Sequence, residues 1–244
     1  MSDYVSLQNL TLAYGKTIVV EGLNLDIAKG ELITLLGPSG CGKTTAMRAI
    51  AGLLMPKSGT IHLDSTNVTR VPPSKREVGL VFQSYALFPH LNVFENVAFG
   101  LRLRHETDLE RKVMEGLDNV GLTDFADRAT SDLSGGQQQR VSLARSLVMK
   151  PKVLLLDEPL SNLDARLRLE MRSELQRVQK DTGVTMIFVT HDQSEALALA
   201  DRIVLMRDGE VEQIGSPEEL YNAPVSGFAA DFMGFETILP DGGN

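Results

Sequence analysis

The stretch GPSGCGKTT, residues 37–45, contains the residue types that hold phosphate groups at the start of a helix. It satisfies the spacing G-x-x-x-x-G-K-[ST], in which glycines let backbone N–H groups turn inward around phosphate oxygens. Lys43 can reach the β- and γ-phosphates of a nucleotide, and the Thr44 hydroxyl is a suitable ligand for Mg²⁺. The predicted nucleotide-binding residues are Gly37, Pro38, Ser39, Gly40, Cys41, Gly42, Lys43, Thr44 and Thr45.

Two residues near this loop predict further properties of the site. Tyr14, in LAYGK, is an aromatic side chain upstream of the loop that could stack on a base. The base is not expected to be guanine, because guanine sites usually contain N-K-x-D and no asparagine here is followed by lysine. Cys41 lies near the predicted helix start, where the positive end of the helix favours a thiolate, so its pKa is predicted to be lowered.

Polar side chains follow three other apolar runs. Asp157 and Glu158 end VLLLDE, and a parallel strand delivers such side chains to the edge of a sheet where ligands bind. Asp157 suits the Mg²⁺ shell through a water molecule, and Glu158 suits polarising an attacking water. His191 ends IFVTH and could orient that water or bond the γ-phosphate. Gln83, at the end of VGLVFQ, could contact Mg²⁺ or water.

A second glycine-containing helix start lies in LSGGQQQRVSLARSLV, residues 133–148. Ser134 can cap this helix, while Gly135 and Gly136 would bring backbone N–H groups close to an oxyanion. Val141 and Ala144 recur at helical spacing, so one face of the helix is expected to be anchored in the protein. The chain therefore carries two anion-binding patterns.

The elements that must position these residues alternate between short apolar runs and longer periodic segments. Strands are predicted for residues 31–36, 59–64, 78–83, 153–157 and 185–190, and helices for 44–53, 164–180 and 192–200. The pattern D-x-x-E at residues 192–195 predicts a capping box, and Asp208-Gly209 predicts a hairpin within residues 202–213. Strands followed by helices predict an α/β fold with a parallel sheet, into which the strand-poor residues 84–150 are inserted as a helical lobe.

Composition restricts the possible partners. The 244 residues are 43% hydrophobic and carry a net charge of −8, which disfavours binding to nucleic acid through a basic surface. One cysteine excludes an internal disulfide. The N-terminus lacks a signal-peptide pattern, and no apolar run approaches the roughly 18 residues that span a bilayer. We expect a chain that is soluble by itself and that could still be held at a membrane by an integral partner.

The phosphate loop, LSGGQ, LLLDEP, SNLD and THD, in this order, resemble the nucleotide-binding subunit of an ABC transporter over residues 4–235. The resemblance implies a P-loop NTPase core of the RecA-like type with a parallel sheet, an antiparallel β subdomain and an inserted helical subdomain. It implies one ABC ATPase domain over residues 1–244, with residues 1–83 and 151–244 as the α/β catalytic core and residues 84–150 as the helical subdomain. Family members often carry a further C-terminal β-rich regulatory domain, which we expect to be absent because the chain stops at GFETILPDGGN.

The resemblance also implies the cofactors ATP and Mg²⁺ and a role for each matching residue. Lys43 and the loop hold the phosphates, Glu158 is the catalytic base and His191 is the switch histidine. The remaining matches are Tyr14 (adenine stacking), Gln83 (sensor glutamine), Ser134, Gly135, Gly136 and Gln137 (signature, acting on the ATP of a second subunit), Ser161 to Asp164 (D-loop), and Thr44, Gln83 and Asp157 (Mg²⁺). The two anion-binding patterns would then be halves of two shared sites.

Within that family, VFQSYALFPHLNVFENVAFGLR and DEPLSNLDARLR look most like bacterial importers of sugars, polyamines, ferric iron or phosphonates that are fed by a binding protein. The implied partners are a second copy of the chain, integral membrane permease subunits and an extracytoplasmic solute-binding protein. The implied location is the cytoplasmic face of the bacterial inner membrane, as a peripheral subunit. Residues 82–99 contain five of the chain's thirteen aromatic residues. Part of this segment is therefore expected to form the groove that takes a helix of the permease.

Three alternative functions remain at this point. A soluble ABC-type ATPase of DNA or ribosome processes is disfavoured by the acidic charge, the lack of sustained heptads and the single cassette. An exporter cassette would usually be fused to membrane spans. A non-catalytic nucleotide binder is disfavoured because Glu158 and His191 are both present.

Overall fold

The computed structural model describes residues 4–234, which form two compact units. The first comprises residues 4–70 and 187–234, and the second comprises residues 71–186. The predicted domain end at residue 244, and most of the tail GFETILPDGGN, lie outside the described residues. The predicted subdomain boundaries, 1–83 with 151–244 and 84–150, stay a prediction.

Ten strands and eight α-helices make up the described part of the chain. The strands are β1 (Val5–Tyr14), β2 (Thr17–Ile27), β3 (Leu32–Leu36), β4 (Ser58–Leu63), β5 (Thr66–Asn67), β6 (Val78–Val81), β7 (Val153–Asp157), β8 (Thr185–Thr190), β9 (Arg202–Arg207) and β10 (Glu210–Gly215). The helices are α1 (Lys43–Ala51), α2 (Val93–Leu103), α3 (Leu109–Asp118), α4 (Gly135–Leu147), α5 (Ala165–Thr182), α6 (Gln193–Leu199), α7 (Pro217–Asn222) and α8 (Gly227–Phe232).

The first unit contains an antiparallel sheet with strand order β2-β1-β4-β5. Val5 pairs with Ile27 on one side and with Leu63 on the other, so β1 is hydrogen-bonded along both edges. Most apolar residues of β1, β2 and β4, among them Leu7, Leu12 and Leu25, are buried, which gives the sheet one packed face. This sheet is the antiparallel β subdomain that the resemblance implies.

The same unit holds β10, β9, β3 and most of β8, in that order in their sheet, and β3 leads to the phosphate loop. β3 and β9 are parallel, and all five residues of β3 are buried, as expected for a strand covered on both faces. α6, α7 and α8 contribute Ala196, Leu220 and Ala229 to the apolar cluster that packs against β3 and β9. The predicted hairpin is confirmed, since Asp208 and Gly209, both at positive φ, join antiparallel β9 and β10.

The second unit combines a parallel strand pair with helices. β6 and β7 pair in parallel, and α2, α3 and α4 lie between them in the chain. Among residues 84–150, all of which the structure describes, the only β-type pairing is the isolated bridge between Asn92 and Ala129. The α/β class with parallel strands and a helical insertion is therefore confirmed.

Two local predictions need correction. The strand predicted for residues 78–83 ends at Val81, because the Phe82 carbonyl accepts a hydrogen bond from Tyr85 N–H at 2.9 Å and the chain turns. Gln83 consequently lies in a loop. The capping box predicted at α6 is only half formed, since Asp192 caps the helix while the Glu195 carboxylate accepts from the Thr190 hydroxyl.

Candidate active site

The phosphate loop connects the end of β3 to the start of α1, as the motif predicts. Gly37 has φ 149°, and a Cβ placed there would lie 2.2 Å from the Met206 carbonyl oxygen. Gly42 caps α1 at φ 105°, and a Cβ there would lie 2.6 Å from Cγ2 of Val20. Both positions require glycine because the backbone is left-handed and neighbouring strands approach closely. The glycine pattern therefore has a structural cause within the unit.

Lys43, the first residue of α1, is buried and folds back onto its own loop. Its ammonium donates to the carbonyl oxygens of Gly37 at 2.7 Å and Pro38 at 2.8 Å, and lies 3.7 Å from Cys41 Sγ. Each of these partners, all within the unit, is neutral. A buried cation with neutral partners is costly unless an anion approaches it, so the loop is chemically suited to phosphate.

The Cys41 thiol differs from the sequence prediction. Burial raises the pKa of Cys41 above its ordinary value of 9.0, and this effect outweighs the opposing charge and hydrogen bonds of Lys43. The predicted lowering was wrong because it considered only the helix start, whereas the thiol is enclosed by the loop. Cys41 is therefore a protonated packing residue at neutral pH.

The other predicted residues of the first unit lie at element ends. Tyr14 is the last residue of β1; its ring is exposed, and its hydroxyl accepts from Arg48 Nη1 at 3.3 Å. Thr44 and Thr45 lie in the first turn of α1. His191 is exposed and lies directly between β8 and α6.

In the second unit, Asp157 ends β7 and the chain turns sharply at Glu158. Glu158 has φ 43°, a left-handed conformation that is uncommon for a residue with a side chain. Its carbonyl accepts from the Ser161 hydroxyl at 2.8 Å and from Ser161 N–H at 3.3 Å, which closes the turn. Such strained conformations occur often at functional sites, where the surrounding structure maintains them.

The structure brings Gln83 together with the segment SNLD. Gln83 Nε2 donates to Ser161 Oγ at 3.1 Å, and the Gln83 carbonyl accepts from Asn162 Nδ2 at 2.9 Å. Asp164 caps α5 through the N–H of Leu167 at 2.9 Å. A hydrogen-bonded chain therefore runs from Gln83 through Ser161 to the backbone of Glu158. Asn162 lies within the predicted D-loop, Ser161 to Asp164, but this contact with Gln83 was not predicted.

The signature residues form the start of α4. Ser134 and Gln137 make a reciprocal capping box, with the Ser134 hydroxyl accepting from Gln137 N–H at 3.3 Å and Gln137 Oε1 accepting from Ser134 N–H at 2.9 Å. The predicted cap is thus confirmed. A Cβ placed on Gly135 or Gly136 would have its nearest neighbour 3.4 Å away, and neither residue has positive φ. In contrast to Gly37 and Gly42 of the phosphate loop, these two positions do not require glycine for any steric reason within the described chain.

Comparison with known proteins identifies the family. A family model described as ABC transporter matches residues 20–161. The spermidine/putrescine import ATP-binding protein PotA of Mesoplasma florum is 51% identical over 99% of this chain and 69% of its own length. The Fe(3+) ions import ATP-binding protein FbpC of Rhizobium etli is 52% identical over 97% of this chain and 67% of its own length. The chain belongs to the ABC transporter family.

A solved structure supports this assignment. The structure of cbiO1 from Clostridium perfringens, part of the ABC transporter complex cbiONQ, matches with a TM-score of 0.84 at 33% identity, covering 91% of this chain and 92% of that one. The ABC fold class predicted from the motifs is therefore confirmed. No helix in residues 4–234 is both long and apolar enough to cross a bilayer.

The structure also reveals contacts of this ABC subunit that the sequence motifs did not predict. Tyr85 and Ala86, which follow Gln83, have φ 62° and 47°. The Tyr85 carbonyl accepts from Ser142 Oγ at 2.9 Å and from Arg145 Nη2 at 3.0 Å, and the Ala86 carbonyl accepts from Arg145 Nη1 at 2.8 Å. The turn after Gln83 is thereby attached to the signature helix.

Proposed function

We propose that this chain is the ATP-hydrolysing subunit of a bacterial importer fed by a solute-binding protein. The proposal rests on the surroundings of Lys43 at the start of α1. Its buried ammonium donates hydrogen bonds to neutral carbonyl oxygens of its own loop. Triphosphate oxygens would supply the negative charge that its neutral partners lack. Tyr14, exposed at the end of β1, would stack on the adenine.

Mg²⁺ fits the oxygen donors that the sequence offers. Thr44 supplies a hydroxyl, Gln83 an amide oxygen and Asp157 a carboxylate that would act through a water molecule; hard oxygen ligands of this kind suit Mg²⁺. The ion would neutralise charge on the phosphates when bound. Within the described residues no cluster of histidine, cysteine and carboxylate ligands forms a separate metal centre.

Hydrolysis is assigned to four side chains, those of Glu158, Gln83, His191 and Lys43. Glu158 would polarise the attacking water, and its left-handed backbone turns it out of line with β7. Gln83, hydrogen-bonded to Ser161, would report the presence of the γ-phosphate to the D-loop. His191 would bond the γ-phosphate, and Lys43 would hold the β- and γ-phosphates.

A second copy of the chain would complete each site. Gly135 and Gly136 have neither positive φ nor a close neighbour that would require glycine. Their lack of a side chain would instead allow another molecule to come close to the backbone. The capping box uses the Ser134 and Gln137 side chains, and the helix start still offers backbone N–H groups to an anion. We assign that anion to the ATP held on the phosphate loop of the second copy, with Ser161 and Asp164 at the same interface.

Permease subunits would dock on the aromatic segment, residues 82–99. Tyr85 is buried and belongs to the core, whereas Phe82 and Phe99 keep 40% and 37% of their surface exposed. Phe88 and Phe99 are in contact, with ring centroids 4.5 Å apart. The exposed Phe82 and Phe99, with the half-buried Phe88 in contact with Phe99, form an aromatic surface that suits an apolar helix of a membrane partner. Docking there would place the chain at the cytoplasmic face of the inner membrane.

The relatives indicate the class of cargo. They are named as import proteins for spermidine and putrescine and for Fe(3+) ions, which favours an importer over an exporter or a soluble DNA or ribosome ATPase. A cationic solute of one of these two types is accordingly the proposed cargo. It would be selected by the solute-binding protein and the permease.

The Glu158→Gln variant tests the central proposal. It should bind ATP, form a stable dimer at saturating ATP with Mg²⁺, and hydrolyse ATP at least about 100-fold more slowly than the wild type. Size-exclusion chromatography with light scattering gives the dimer, and phosphate release gives the rate. A monomer at saturating ATP would contradict the shared site, and wild-type hydrolysis would contradict the role of Glu158.

A further inference from the structure

His191 lies in the short segment between β8 and α6, which is hydrogen-bonded to two buried residues, Thr190 and Glu195. Thr190 and Glu195 keep 2% and 3% of their surface exposed. Thr190 Oγ1 donates to Glu195 Oε2 at 2.6 Å and accepts from Asp192 N–H at 3.0 Å. The two neighbours of His191 in the chain, Thr190 and Asp192, are therefore joined by a hydrogen bond to the Thr190 hydroxyl.

The far end of the segment is fixed by the helix cap. Asp192 Oδ1 accepts from Ser194 N–H at 2.8 Å, from Ser194 Oγ at 2.6 Å and from Glu195 N–H at 3.2 Å. A closed ring results, which runs from Thr190 to Glu195 through the side chains and back through Asp192. His191 is exposed and lies between Thr190 and Asp192 in the chain, so both of its neighbours belong to this ring.

The ring departs from the way in which the other described helices with Glu or Gln as their third residue begin. At α2, α4 and α7 the third helical residue, Glu95, Gln137 or Glu219, reaches back to the N–H of the capping residue. At α6 the corresponding residues, Asp192 and Glu195, are linked through the Thr190 hydroxyl, which accepts from Asp192 N–H and donates to the Glu195 carboxylate. An ordinary capping box would cap the helix equally well without using the residue before His191. The added contact fixes the backbone on the strand side of the histidine.

We propose that Thr190 and Glu195 are positioning residues for His191. The short hydrogen bond between them, together with the bond from Asp192 N–H, holds the backbone at residues 190 and 192 and so sets the direction in which the imidazole is presented. The inference rests on the role proposed for His191. Misplacement of a catalytic group by about 1 Å can lower a rate by roughly 100-fold, so loss of the bond should affect the rate strongly.

A matched set of variants of the full chain tests this inference. Thr190→Val keeps the shape and removes the hydroxyl, Thr190→Ser keeps the hydroxyl, and His191→Ala removes the imidazole. Steady-state ATP hydrolysis gives kcat and KM, and the histidine Cε1–H resonances in a proton NMR spectrum report on His191, one of four histidines. The resonance that His191→Ala removes is thereby assigned.

We expect Thr190→Val to lower kcat on the order of tenfold at an unchanged KM for ATP and to shift the His191 resonance. Thr190→Ser should stay within about twofold of wild type. If Thr190→Val does not fold, Glu195→Gln, which weakens the acceptor and keeps its shape, should lower kcat by about two- to fivefold with the same shift.

Two other outcomes separate the possible failures. Wild-type kcat and an unmoved His191 resonance in Thr190→Val would overturn the positioning role, as would a parallel loss of kcat, ATP affinity and thermal stability. Full activity of His191→Ala would instead refute the role proposed for His191. In that case the resonance shift in Thr190→Val still shows whether the ring orients the imidazole.

Discussion

The Tyr85 hydroxyl is buried without a hydrogen-bond partner among the described residues, which predicts that its removal stabilises the protein. Tyr85 keeps 7% of its surface exposed, and its Oη atom makes no bond although the Tyr85 carbonyl makes two. A buried polar group left unsatisfied costs about 1–3 kcal/mol. Tyr85→Phe removes the group and keeps the ring, so the free energy of unfolding should rise by about 1 kcal/mol.

In a chain of this length that gain corresponds to a melting temperature higher by about 2–4 °C. Tyr14→Phe is the matched control, because the Tyr14 hydroxyl is exposed and accepts a hydrogen bond from Arg48. It should change the free energy of unfolding by less than about 0.5 kcal/mol. Calorimetry or urea unfolding monitored by circular dichroism measures both variants.

The pH dependence of this gain follows from the same burial. Burial raises the pKa of Tyr85 above its ordinary value of 10.0, so the folded state keeps the proton at a pH where the unfolded chain loses it. The wild type is therefore progressively destabilised as the pH rises above 10.0 towards the folded-state pKa, and the advantage of Tyr85→Phe should grow over that range. A lower melting temperature for Tyr85→Phe at neutral pH would refute the reasoning, because it would mean that the hydroxyl is satisfied in solution.

Three further predictions concern the loops around the site. Gly42→Ala should destabilise by more than about 2 kcal/mol in urea unfolding, whereas Gly40→Ala, also at positive φ but with open space, should cost about 1 kcal/mol; equal losses would refute the steric argument. Cys41 should react with a disulfide reagent at pH 8 at least about tenfold more slowly in the native than in the unfolded chain, since burial raises its pKa, and fast native labelling would contradict this. Arg145→Lys and Ser142→Ala should show non-additive losses of stability of at least about 0.5 kcal/mol in a double-mutant cycle, because both donors share the Tyr85 carbonyl; additive losses would mean independent contacts.

Much of the fold could be predicted because it depends on local patterns. The buried strands β3, β7 and β8 are continuous apolar runs, and the Asp208-Gly209 turn needs only two residues with left-handed φ. The strands β1 and β2 were not predicted individually, because register shifts interrupt the alternation of buried and exposed residues. A pattern with period two cannot be followed across such irregularities.

The candidate site was predicted less completely, and the errors have a common cause. Gln83 was placed in a strand because VGLVFQ is apolar and β-branched, yet donors from Ser142 and Arg145, some sixty positions later, hold the turn that follows. The pKa of Cys41 was predicted from the helix start, yet enclosure by the loop determines it. In both cases a distant part of the chain outweighs the local preference.

The start of α6 is one departure from local rules that lies beside a residue proposed for hydrolysis. The same capping rule describes the starts of α2, α4 and α7, and it describes only half of the start of α6, where Glu195 bonds to Thr190 instead. The exception lies beside His191, just as the shortened β6 lies beside Gln83 and the left-handed turn lies at Glu158. Local rules express the least costly way to form an element, so a departure persists only if something else compensates for it. These three departures are each adjacent to a residue proposed for hydrolysis, and we infer that they serve to orient His191, Gln83 and Glu158.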